Sequence, residues 1–121
     1  MSELRIELDR DKAACAPGEM VSGRVRWSVE GNPESVELSL LWHTSGKGTR
    51  DVGVVETLKW ETPGASNVKD FSFALPGGPY SFSGRLISLV WILELTVFPD
   101  RRTEKRELIL SPTGSEILLN R

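Results

Sequence analysis

The chain has 121 residues, 39% of them hydrophobic, with 15 basic and 17 acidic side chains and a formal net charge of −2. Those values fit one domain over residues 1–121, with a core over about residues 4–110, a tail over 111–121 and little length for a second core. The two signs of charge are interleaved rather than gathered into blocks, which gives no footing for nucleic acid and no polybasic tract for a membrane surface.

Cys15 is the only cysteine, so it forms no internal disulfide. With no export leader in the sequence, this points to a reducing, cytoplasmic setting. No His stands near Cys15 in the sequence to raise its reactivity, and the expected role is a small buried apolar group.

Alternation with a period of two begins at once. Leu4, Ile6 and Leu8 share one parity against Glu3, Arg5 and Glu7, the pattern of a half-buried strand. After a polar stretch, Val21, Gly23, Val25, Trp27 and Val29 alternate with Arg24, Arg26, Ser28 and Glu30. A helical period would scatter these residues around the axis; a strand puts them on one face. Gly31, Asn32 and Pro33 predict a turn, followed by a third strand with Val36, Leu38, Leu40 and Trp42 inward and Leu41 on the opposite parity.

A glycine-rich loop is expected over His43–Asp51. Beyond it, Val52, Val54, Leu58 and Trp60 read as the apolar face of a fourth strand, with Val55, Thr57 and Lys59 facing away. Glu56 falls in the apolar phase, which predicts a β-bulge or an edge position. Pro63, Gly64, Ser66 and Asn67 break the chain before Phe71, Phe73 and Leu75. The most apolar segment, Leu86 to Val97, is interrupted by Ser88, Glu94 and Thr96 and falls short of the roughly 20 apolar residues of a spanning helix. Its Ile, Val, Trp and Leu content predicts a central strand instead, so no transmembrane segment is expected. Pro99 and Asp100 turn the chain into a last strand ending at Leu108 and Leu110. About seven strands with Gly/Pro turns and no helix predict an all-β, immunoglobulin-like two-sheet sandwich, with a closed barrel as the alternative.

Two stretches carry a family resemblance. Cys15 to Gly23, CAPGEMVSG, is similar to an early motif of the arrestin family: an aromatic residue, a spacer, Pro-Gly-Glu, then Val and Gly two residues apart. Pro17, Gly18, Glu19, Val21 and Gly23 match it, and Cys15 takes the aromatic's place. Leu75 to Val97, LPGGPYSFSGRLISLVWILELTV, resembles the family's Leu-Pro turn, Pro-x-Ser-x-x-Gly segment and long apolar strand, with Pro79, Ser81, Gly84 and Trp91 in matching places. The resemblance runs roughly from Arg5 to Leu110. It implies an arrestin-like fold and non-catalytic adaptor or scaffold work, in which sheet edges and loops hold cargo, receptors or coat partners. Arrestins, α-arrestins, the arrestin-like retromer subunit and sporulation-control relatives typically contain two such sandwiches, whereas this chain has length for one.

The same residues also have a folding role. Pro17 and Gly18 fit the centre of a turn, Gly23 interrupts a strand as a bulge would, and Pro76 to Pro79 suit a reversal.

The residue inventory argues against an enzyme, and no cofactor or metal is implied. His43 is the one histidine and lies far from Cys15, so zinc-type spacing is missing. The fragment SGKGT is not a phosphate loop, because Gly48 follows Lys47 where a Ser or Thr is required. Glu104 and Glu107 sit in a charged strand and read as a solvated face. Of the four tryptophans, Trp27, Trp42 and Trp91 share the apolar parity and are expected inside, with Trp60 the expected exception.

A binding surface must come from what the core leaves over. Leu41, Val55, Val90 and Ile92 point away from the main apolar face and, on neighbouring strands, would form an outer patch. Either the tail residues Ile117, Leu118 and Leu119 cover it, or a second copy does, making a homodimer. The other candidate is the His43–Asp51 loop, where Lys47 and Arg50 could meet an anionic group. The expected partner is a protein of unknown identity; the competing reading is a carbohydrate- or peptide-binding module.

Overall fold

The computed structural model of the protein describes residues 3–9, 14–46, 51–83, 87–110 and 117–118. Every regular element among them is a strand: β1 (Glu3–Leu8), β2 (Ala14–Cys15), β3 (Met20–Ser28), β4 (Ser35–Gly46), β5 (Val52–Glu61), β6 (Ser66–Ala74), β7 (Phe82–Ser83), β8 (Ile87–Phe98), β9 (Arg102–Leu110) and β10 (Ile117–Leu118). No helix of the described residues is long and apolar enough to cross a membrane.

The strands form two sheets rather than a closed barrel. The small sheet runs β1-β3-β6, antiparallel throughout. In the large sheet β8 is central, flanked on one side by β4 and then β5, and on the other by β9, all antiparallel. The three short strands finish its margin: β7 pairs with β8, β10 runs parallel to β7, and β2 runs parallel to β9.

Alternation places the core between the sheets. On β3, Val21, Val25 and Trp27 are buried while Arg24, Arg26 and Ser28 are exposed. They meet Val36, Leu38 and Leu40 of β4 and Trp91, Leu93 and Leu95 of β8. Phe71 and Phe73 of β6 add an aromatic pair, with ring centres 5.9 Å apart. Burying side chains of this size contributes about 1.5–3 kcal/mol each, which is the main favourable term in a fold without internal disulfides.

Three expectations need correction. Trp42, expected inside, and Trp60, the expected exception, are both half-buried and packed against the core; the Trp60 ring lies 5.9 Å from that of Trp27, while the Trp27 indole Nε1 donates to the Gly64 carbonyl at 3.1 Å. Sequence parity alone could not register that the Trp60 side chain reaches Trp27. Gly23 marks no bulge, because β3 and β6 stay in register across it. Its role is close approach: a β-carbon there would run into the Glu7 carbonyl of β1. The loop expected from His43 also begins later, since β4 continues to Gly46 by pairing with β8 as far as Ile87.

Candidate partner surface

The motif residues are used up by folding. Pro17 and Gly18 occupy the two central places of a β-turn closed by Glu19 N–H donating to the Ala16 carbonyl at 3.1 Å. Gly18 has φ +80, the left-handed value that the third position of a type II turn requires. The Glu19 carboxylate also accepts from the Ala16 N–H at 2.8 Å. This turn is tied to the second motif, since Gly18 N–H donates to the Leu75 carbonyl and Leu75 N–H to the Glu19 carbonyl. Farther on, Trp91 Nε1 donates to the Pro79 carbonyl at 2.7 Å, and buried Ser81 accepts from Leu110 N–H on its Oγ while donating its own N–H to the Leu110 carbonyl. Gly84 lies outside the described residues.

The two outer faces differ in chemistry. That of the small sheet is mainly ionic, with Met20 and Val68 also exposed: Arg24 pairs with Asp70, Arg26 with Glu7 and Arg5 with Glu3, at 3.5–3.6 Å between exposed groups. Such a face is content in water, and each pair adds little to stability. One half of the large sheet's outer face is similar, with Lys105 3.8 Å from Glu94 and the Ser39 hydroxyl 2.9 Å from that of Thr57.

Its other half is apolar. Leu41 on β4 stands directly opposite Ile92 on β8 and Val54 on β5, and the next outward row is Val52, His43 and Val90. Leu41 and Ile92 are only 9% and 8% exposed yet take no part in the core between the sheets. The expected patch therefore differs in what it offers: its centre is already covered, and its accessible part is the β5 margin, where Val52 and Val54 are 60% and 59% exposed. His43 lies between the valines, with Nδ1 buried and, among the described residues, without a hydrogen-bond partner.

Val55 is 42% exposed but stands outside the paired rows. The register of β4 on β5 shifts between Leu40, opposite Glu56, and Leu41, opposite Val54, so Val55 is the extra residue of a bulge and opposes no residue of β4. The bulge reverses the phase of the strand's first residues, carrying Val52 and Val54 to the outer face that Val55 was expected to occupy. Glu56 signalled the bulge in the sequence; the direction of the phase change had no signal there.

The loop candidate is described only at its ends. Thr44 and Asp51 clasp its base, Thr44 N–H to the Asp51 carbonyl and Asp51 N–H to the Thr44 Oγ1, each at 2.9 Å. Lys47 and Arg50 lie outside the described residues. Of the tail, Ile117 and Leu118 join the large sheet as β10, and Leu119 lies outside. Among the described residues no three His, Cys, Asp or Glu side chains are grouped as metal ligands would be.

No family model and no curated protein matches the chain. Among solved structures it is similar to Spo0M, a sporulation control protein from Bacillus subtilis, with a TM-score of 0.61 and 17% identity over 91% of this chain and 49% of that one. A β-glucosidase from Listeria innocua overlaps at a TM-score of 0.46 with 12% identity, covering 97% of this chain and 17% of the enzyme, a likeness too low to carry an argument. The chain thus spans about half the length of Spo0M, and what the two share is the fold, a Spo0M-like β-sandwich.

Proposed function

We propose that this chain is a non-catalytic protein–protein interaction domain of arrestin-like kind, a single cytoplasmic sandwich doing adaptor or scaffold work and associating with a second copy of itself. The observation that carries the reading is the contrast between the outer faces: on the small sheet Met20 and Val68 stand apart from each other among ion pairs, whereas Val52, Val54 and their row-mates are gathered at one margin of the large sheet. Apolar side chains gathered at one margin are what an interface uses. The tie between the Pro17-Gly18-Glu19 turn and Leu75 supports the arrestin-like part, because it joins the two segments on which the resemblance rests.

Affinity capture from the native host tests this directly. Wild-type bait should retain a defined protein that bait carrying Val90→Glu loses and bait carrying Arg24→Glu keeps. Loss with both variants, or with neither, would count against the outer-face assignment. The carbohydrate reading has less to work with, since Trp27 and Trp91 are buried and Trp60 packs on Trp27. Saturable quenching of tryptophan fluorescence by a sugar would put it ahead.

A further inference from the structure

The free margin of the large sheet suggests how two copies would join. β5 pairs with β4 on one side only; no described strand lies on the other. Natural edge strands are blunted by charge, proline or irregularity. The second half of β5 follows that rule, carrying Glu56, Lys59 and Glu61, and the bulge at Val55 separates it from the first half. That first half, Val52-Gly53-Val54, has no charge, no proline and two well-exposed valines on one face.

We infer that two copies of this chain pair through β5, antiparallel about a two-fold axis at Gly53, joining their large sheets edge to edge. The inference rests on the self-association proposed above and names its surface. In this register Val52 stands opposite Val54 of the second copy, and Val54 opposite its Val52, all on the outer face. The rows described above then run on without interruption: Ile92, Leu41 and Val54 of one copy continue into Val52, His43 and Val90 of the other, and the axis generates the same row in reverse.

Registers centred on Glu56 through Trp60 are worse. Centring on Glu56 or on Lys59 opposes like charges, which is destabilising across strands. Centring on Thr57 or Leu58 sets Glu56 against Leu58 or Trp60. Centring on Trp60 brings the left-handed Thr62 and then Pro63 into the pairing at once. Gly53 favours the chosen centre for a further reason: its directly opposed residue on β4 is Trp42, so the indole lies at the joint and would be further covered. A contact this short belongs with weak, transient associations.

Sedimentation velocity of the full chain over a wide concentration range tests the inference. Wild type should show reversible dimerisation; Val54→Lys and Val52→Lys, each at a well-exposed site, should weaken it at least tenfold while keeping the wild-type circular dichroism spectrum. Val68→Lys, an exposed valine on β6, should leave it unchanged. Mixing Val52→Cys chains with Val54→Cys chains should give an intermolecular disulfide faster than either alone, because directly opposed β-carbons lie about 4.5–5.5 Å apart. A dimer of undiminished strength in both Lys variants, or cross-linking no faster in the mixture, overturns this geometry and leaves self-association standing. A wild-type chain that is monomeric throughout overturns both, while capture of a different protein remains the separate test of the interaction function.

Discussion

The indole of Trp42 lies over Gly53, its directly opposed residue on β5, in the space a side chain there would need. Gly53→Ala should therefore displace the ring and destabilise the domain by about 1–3 kcal/mol, the usual range for overpacking. Urea unfolding gives the loss, and a changed Trp42 emission would tie it to the ring. Gly53→Ala in a Trp42→Phe background should lose less.

Gly23→Ala is expected to do more damage, because the obstacle is the backbone carbonyl of Glu7 and not a side chain that can swing aside. Either β1 moves off β3 or the chain strains. A loss of about 3 kcal/mol or more, measured by denaturant unfolding, follows from the upper part of the overpacking range. Hydrogen exchange should report the opening first in β1.

The Ser81 hydroxyl sits in the buried seam between the end of β9 and the segment before β7, accepting from Leu110 N–H at 2.9 Å. Ser81→Ala leaves that amide without its partner in the interior, and the loss should be about 1–3 kcal/mol. Ser81→Thr, which keeps the hydroxyl, should lose less stability than Ser81→Val, which lacks it.

Thr62 carries a β-branched side chain at φ +47, in the left-handed region, immediately before Pro63. A branched residue is disfavoured there by about 1–2 kcal/mol. Thr62→Gly should relieve the strain and return part of that as stability, about 0.5–1 kcal/mol after the added freedom of the unfolded chain is counted. A higher melting temperature is the expected sign.

The sandwich was legible because its strands, β5 apart, keep a period of two. Val25 and Trp27 against Arg24 and Arg26, or Phe71 and Phe73 against Asp70 and Ser72, read alike in the sequence and in space. The Pro17-Gly18 turn was legible for a similar reason, since turn chemistry is local. The candidate surface was only half legible. Leu41, Val90 and Ile92 stand on the outer face as the parity of β4 and β8 required. Val52 and Val54 were read as inward because one bulge reverses every residue before it. The contact of Trp60 with Trp27 and the approach of β1 to Gly23 depend on neighbours distant along the chain, which periodicity does not encode.

The pairing at the centre of the large sheet has a kinetic consequence. β4 lies between β5, its near neighbour in the chain, and β8, which arrives only after β6 and β7. Leu38 therefore meets Leu58 across a short hairpin but waits for Leu95 to complete its burial. During synthesis the β4–β5 hairpin emerges with one whole edge unfilled, and long-range closure of this sort sets refolding on the millisecond-to-second scale of non-local β topologies. The vulnerable interval for misassembly is the time between those two pairings.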